Sequence, residues 1–336
     1  MLSQITGQFR QLSRLTGLQS LLGAAAVLLL WLLKRGEECS RLYLLLYTAG
    51  NVLTTGIWLF NWRTLFAGKA APAGKERRAT LLLIRTGVPL MLANLCTLLI
   101  LSADRQCVSL MFDTRTYAVY AFAYNILTMI TMVISAISTV LFPTMKRMER
   151  DALLQAWPTL CLGVPLLVFA CTLVYYPLVP FIRRFLPDYA ASLDTLRIVF
   201  PGLAASSLVT IVIHNYDKAL GLSDRFCAQS LLMLLLSIAA NIAAWRLFGS
   251  TAAISGASVI MLLLWYLLTG GTLHRRYGLR LWPGLLLLLG GSGLYWLCTM
   301  ELLPLWAGFL LQLAVLLLSS MRIFRPLLAA RHEHST

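Results

Sequence analysis

The chain predicts an all-α, polytopic membrane protein of about ten transmembrane helices, and three observations predict it. Of its 336 residues, 59% are hydrophobic and only 12% are charged, whereas an ordinary soluble domain carries about 25% charge. The apolar residues gather into stretches of the ~20 residues that a helix needs to cross a bilayer. Lysine and arginine also alternate in abundance from one connection to the next, the pattern left when basic loops set orientation. The net charge of +15 therefore points to orientation and anionic lipid rather than nucleic acid, because the basic residues sit in short loops and not on one soluble face.

Residues 1–16 form a basic, amphipathic lead-in with no acidic residue. Arg10 and Arg14 precede an apolar run, as in a signal peptide. The small residues Gly23 to Ala26 lie inside that run, however, and Val27 to Leu33 prolong it, which predicts a retained first span. Spans are expected at about 17–34, 43–62, 83–104, 116–142, 157–182, 196–217, 227–248, 251–270, 281–299 and 302–321. Pro89, Pro158, Pro165, Pro177 and Pro201 fall within them, which membrane helices tolerate where neighbours re-satisfy the freed carbonyls. Residues 63–80, with A-G-K-A-A-P-A-G-K-E-R-R, have linker composition and leave two spans before and eight after. Counted on alternate sides, Lys and Arg divide 19 to 9, accounting for all 28. That division predicts both termini in the cytoplasm.

The stretch from Arg85 to Thr144 carries most of the chemistry. Tyr117, Tyr120, Tyr124, Thr128, Thr131, Ser135 and Ser138 step by three or four residues, which places them on one helical face. Such a stripe at membrane depth faces neighbouring helices or a wet cavity. Asn94 and Asn125 lie in the same two spans. Asp104-Arg105 ends the 83–104 span and Arg85 begins it. Charges there either snorkel to the interface or, as forked guanidinium donors, bind phosphate. In the 196–217 span, Ser207, Thr210, His214 and Asp217 share a face, with Asn215 and Lys218 beside it. A membrane histidine near a carboxylate can relay protons. Its place near the cytoplasmic end of the span, where water is near, favours an interfacial structural role over a relay.

The remaining motifs are bland. The seven cysteines, at positions 39, 96, 107, 161, 171, 227 and 298, show no C-x-x-C and no metal-ligand spacing. Gly290-Gly291-Ser292-Gly293 lies mid-span without strand or lysine, so it reads as close helix packing rather than a phosphate loop. His332-Glu333-His334 is a tail motif, and Trp58, Trp62, Trp282 and Trp296 read as interfacial belt residues. No metal and no cofactor are expected.

Several patches together resemble the O-antigen and polysaccharide flippases of the multidrug/oligosaccharidyl-lipid/polysaccharide exporter superfamily. They are Gly87, Pro89 and Met91; Asp104-Arg105; Tyr117 to Tyr124; and Ile134-Ser-Ala-Ile-Ser-Thr with Leu141 and Pro143. Phe185 to Tyr189, F-P-G from Phe200, and His214 to Gly221 add a second group. The resemblance implies residues 1–62 as a lead-in plus the last two helices of a first lobe lacking its first four, and 63–80 as a cytoplasmic linker. It further implies 81–270 as a complete six-helix second lobe, 271–321 as two additional helices and 322–336 as a cytoplasmic tail. The implied activity is not enzymatic. It is translocation of an undecaprenyl-diphosphate-linked oligosaccharide across the bacterial inner membrane by alternating access. The implied substrate path takes in Arg85, Asn94, Asp104, Arg105, Tyr117, Tyr120, Tyr124, Asn125, Thr128, Thr131, Ser135, His214, Asn215 and Lys218. Expected partners are the lipid-linked oligosaccharide, membrane lipid, and either a second copy or another chain supplying the absent helices. The alternatives are a multidrug exporter of the same superfamily, a membrane polysaccharide polymerase or ligase, and an inactive truncated product. Short periplasmic loops and the absence of D-x-D weigh against the enzyme.

Overall fold

The computed structural model describes residues 17–25, 28, 39–61, 73–300 and 303–333. The lead-in 1–16, most of the first expected span's second half, residues 63–72 of the linker, Trp62 and His334 lie outside the described residues. Among the described residues all regular structure is helical. The chain forms two compact units, 1–82 and 83–336. The first holds a helical piece at 17–25 and helix α1, Cys39–Asn61. Helix α2, Ala73–Ile100, carries the boundary. The second half of the expected linker is thus helical, as its Lys, Glu, Arg and Ala content favours.

In the second unit come α3 (Ala103–Met111), α4 (Thr114–Arg147), the short α5 (Arg150–Gln155) and α6 (Trp157–Cys171). They are followed by α7 (Tyr175–Phe185), α8 (Ser192–Ser207), α9 (His214–Ala219), α10 (Ser223–Phe248), α11 (Thr251–Tyr277), α12 (Trp282–Thr299) and α13 (Leu305–Glu333). Every expected span from 43 onward has a helix at its place. Six helices or continuous helical runs among the described residues are long and apolar enough to cross a membrane, and a seventh results if α2 and α3 count as one bent span. This is a multi-pass, all-α membrane architecture.

Local chemistry explains where the elements stop. Asp113 caps α4 by accepting from the amides of Arg115 and Thr116, at 3.2 and 3.4 Å, and from the Thr116 hydroxyl at 2.6 Å. The same bonds, led by that hydroxyl, hold the Asp113 carboxyl below its usual pKa. Helices α10 and α11 end on Gly249 and Gly278 at φ 60° and 69°, a left-handed turn that glycine adopts without the Cβ penalty.

The run from α8 to α9 is the centre of the second unit, with 83% of its apolar window buried, against 19% for α4 at the periphery. Phe200, Ala204, Leu208, Val212 and Tyr216 are fully buried along it, and α4, α6, α11 and α12 pack around it. A π-helical segment, Leu208–Ile213, joins α8 to α9. Such a widened turn leaves backbone carbonyls without their usual partner. The side chain of Asn215 donates to the Ile211 carbonyl at 2.7 Å and to the Ser138 hydroxyl of α4 at 3.0 Å. A second break, the 3₁₀ turn Thr172–Val174, separates α6 from α7. There Gln312 of α13 donates to the Phe169 carbonyl and the Thr172 hydroxyl, at 3.3 and 2.9 Å, and accepts from Tyr176 at 2.8 Å. The helices at 282–333 therefore join the second unit rather than standing apart from it. Of the glycine run, Gly291 makes the close approach, since a Cβ there would meet the Phe169 ring. Gly290 and Gly293 face open space. Trp296 donates to the Arg197 carbonyl at 3.0 Å, tying α12 to α8, while Trp282 is exposed.

A hydroxyl-lined cavity as candidate functional site

One cavity of about 280 Å³ lies within the second unit, between α2, α3, α4, the α8 run, α10 and α11. Leu98, Leu101, Leu127, Val199, Leu203, Met261 and Leu262 give it largely apolar walls. Hydroxyls interrupt them: Thr128 and Thr131 from α4, Ser206, Ser207 and Thr210 from the central run, Ser237 from α10 and Ser258 from α11. Most donate to their own helix. Thr128 bonds the Tyr124 carbonyl at 2.8 Å, Thr131 that of Leu127 at 2.7 Å, and Thr210 that of Ser206 at 2.8 Å. A hydroxyl used this way keeps its lone pairs, so the cavity offers acceptors to a ligand rich in O–H groups.

Charge enters from α3. The 83–104 span does not run straight to Asp104. Helix α2 ends at Ile100, the chain turns at Leu101-Ser102, and α3 leaves at 49°. Asp104 and Arg105 therefore start a new helix and line the cavity instead of marking a span end. Asp104 is 3% exposed. Its carboxylate accepts from the Tyr120 hydroxyl at 3.0 Å and the Arg105 amide at 2.7 Å, and Ser255 of α11 donates to the Tyr120 oxygen at 3.3 Å. The Arg105 guanidinium lies over the Tyr124 ring at 5.1 Å, a stacking that holds a cation beside a polar cavity. Its buried Nε has no hydrogen-bond partner.

The predicted stripe of α4 thus divides. Tyr124, Thr128 and Thr131 line the cavity. Tyr120 is buried in the Asp104 contact, and Tyr117 packs beside it. Ser138 accepts from Asn215, while Ser135 and Asn125 are exposed. Arg85 is exposed on α2 and Asn94 is half-buried, both apart from the cavity-lining set. The 196–217 span divides as well. Ser207 and Thr210 line the cavity, but the π segment shifts the register, so His214 and Asp217 do not. His214, 2% exposed, sits between the rings of Phe226 and Trp265, with centroids 4.2 and 5.3 Å away. The imidazole is thus enclosed by aromatic rings. Asn215 is a structural tie, and Lys218 lies over the Phe226 ring at 5.8 Å.

Ser206, Ser237 and Ser258 escaped the sequence reading. Ser237 and Asn241 are four residues apart in an apolar helix, and Asn241 accepts from Ser258 at 3.0 Å. That spacing of small polar residues is the signal that could have found them. Among the described residues no group of His, Cys, Asp and Glu could hold a metal ion.

The helices that bring Asp104, Arg105, Tyr124, Thr128 and Thr131 to the cavity lie in a stretch of recognisable kinship. Residues 6–149 match the polysaccharide biosynthesis protein family. No curated protein and no solved structure matches the chain. The similarity ties the chain broadly to polysaccharide biosynthesis and covers α1 to α4, whereas α8, α10 and α11 complete the cavity from outside it.

Proposed function

We propose that this chain carries a lipid-linked oligosaccharide across the bacterial inner membrane, the flipping step of surface polysaccharide synthesis such as that of O-antigen, with both termini in the cytoplasm. The observation that carries the reading is the cavity itself: hydroxyls, the Arg105 guanidinium and the Asp104 carboxylate, the last held by Tyr120, set among helices otherwise suited to lipid. A sugar–diphosphate head group needs polar contacts across hydrocarbon, while its lipid tail needs none. Hydroxyl acceptors suit the sugar, and the forked donors of arginine suit a diphosphate. The similarity of residues 6–149 to polysaccharide biosynthesis proteins supports the same assignment. No bond is made or broken in such a step, and an undecaprenyl-diphosphate carrier is the substrate class proposed.

Restoration of surface polysaccharide in a cell deprived of its own flippase tests the proposal. Where a version containing this chain restores it, the same version carrying Thr131→Leu with Ser207→Leu, which convert two cavity hydroxyls to bulk, should restore far less at equal abundance. Equal restoration by the filled cavity would reject this cavity as the path. The largely apolar walls also admit export of lipophilic drugs, and dye efflux without any polysaccharide would favour that use.

A further inference from the structure

Helix α3 is set apart from the helix before it. The Ser102 hydroxyl, which stands where a helix cap belongs, donates back to the carbonyls of Leu98 and Leu99 at 3.0 and 3.3 Å. It finishes α2 and leaves α3 without a side-chain cap. The nine residues of α3 bury Ala103, Asp104, Cys107 and Val108 and leave Leu110 83% exposed. Val108 belongs with Tyr120 and Ile254 to a small apolar cluster that meets the main core through Tyr124. A helix seated on such a side cluster can shift without opening the main core.

Beyond its packing on α4, α10 and α11, two polar contacts among the described residues tie this helix to the bundle, and both begin at its first turn beside the cavity. The Asp104 carboxylate takes the Tyr120 hydroxyl of α4, which in turn takes the Ser255 hydroxyl of α11. Arg105 rests on Tyr124, whose ring stacks on Tyr120 at 5.1 Å. A buried carboxylate and a guanidinium with an unpartnered Nε lose little on meeting water, since water supplies what the protein bonds supplied. The hinge, the side cluster and the polar catch are the parts that a two-position element needs.

We propose that α3 is a hinged strap across one end of the cavity, and that the chain Asp104–Tyr120–Ser255 is the latch that holds it closed. The latch governs access to the cavity and does not rest on what the cavity carries.

Thiol labelling of the full chain in sealed membranes tests this. With the seven native cysteines replaced, Ser207→Cys places a reporter that is 2% exposed on the cavity wall. Thr114→Cys, at the exposed start of α4, marks the side of the membrane on which α3 turns into α4. A membrane-impermeant maleimide should reach Ser207→Cys slowly. Adding Tyr120→Phe should raise that rate about tenfold, and only from the side that labels Thr114→Cys. Asp104→Ala should act alike, and the two together should do no more than either alone, because they break one contact. Ser255→Ala, which keeps the phenol, should give a smaller rise and serves where the other variants do not reach the membrane. Tyr216→Phe removes a buried hydroxyl bonded at 2.6 Å to the Leu153 carbonyl and should leave the rate unchanged. An unchanged rate in Tyr120→Phe, entry from the opposite side, or equal acceleration by Tyr216→Phe would overturn the latch.

Discussion

Asn215 shows what one amide contributes inside a span. A fixed step of three or four residues placed it beside a polar face, and its residue type could be read, but its duty could not. The π segment ahead of it breaks the period on which that face was drawn, and nothing in L-V-T-I-V-I announces a wider turn. The amide then closes two open ends at once, the Ile211 carbonyl and Ser138. Asn215→Leu should cost about 1–3 kcal/mol, the usual penalty for stranding a buried acceptor, read as a lower midpoint of thermal unfolding in detergent. Asn215→Gln, with a longer reach, should recover little. At Arg105 the prediction is functional: Arg105→Ala should cut flipping about tenfold, measured as surface polysaccharide at equal membrane abundance. Arg105→Lys should recover part of it, because lysine keeps charge without the fork. Arg85→Ala should have no such effect, since Arg85 lies exposed away from the cavity.

At the scale of elements, apolar length located the helices well and their interruptions poorly. A run of twenty apolar residues predicts a crossing whether or not it breaks midway. The break at Leu101-Ser102 is satisfied locally, by the Ser102 hydroxyl on the Leu98 and Leu99 carbonyls, whereas the one at Thr172–Val174 is met by a partner far away in sequence. Gln312 is the instructive residue. It sits alone in L-L-Q-L-A-V-L-L-L, an amide conspicuous by its surroundings, yet its partner is a carbonyl 143 positions earlier. Membrane interiors offer that carbonyl no water. Gln312→Leu should therefore destabilise the fold by about 1–3 kcal/mol, while Gln312→Leu and Tyr176→Phe combined should cost less than their sum, because they share one network. Glycine contacts make a companion test. A Cβ at Gly308 would come within 2.6 Å of the Cys298 carbonyl oxygen, which is backbone, whereas one at Gly291 meets a Phe169 ring that can turn. Gly308→Ala should lower the unfolding midpoint more than Gly291→Ala, and Phe169→Leu should relieve only the latter.

For the whole molecule the basic residues argue a direction. In the second unit, if each span crosses, the connections after Arg147, Ala219 and Tyr277 share one side, and those after Met111, Phe185, Phe248 and Thr299 share the other. Lys146, Arg147, Arg150, Lys218, Arg225, Arg275, Arg276 and Arg280 cluster about the first set. Arg115, Arg183, Arg184, Arg197 and Arg246 are spread over the second. An excess of basic residues in short loops marks the cytoplasmic side. Arg105, which a span end at Asp104-Arg105 would add to the second set, lines the cavity instead, and leaving it out sharpens the asymmetry. Reporter fusions after Met148 and Gly278 should therefore read cytoplasmic, and fusions after Phe112, Ala190 and Gly249 periplasmic. The fusion after Phe112 decides most. It lies between α3 and α4, so its side is also the side that the strap faces. A periplasmic reading there places the latch at the exit of a cargo loaded from the cytoplasm, and Tyr120→Phe should then admit thiol reagent from the periplasm alone. A cytoplasmic reading at 112 with a cytoplasmic reading at 148 would mean that α4 does not cross. The cavity would then lie outside the bilayer, and the flipping proposal would fall with it.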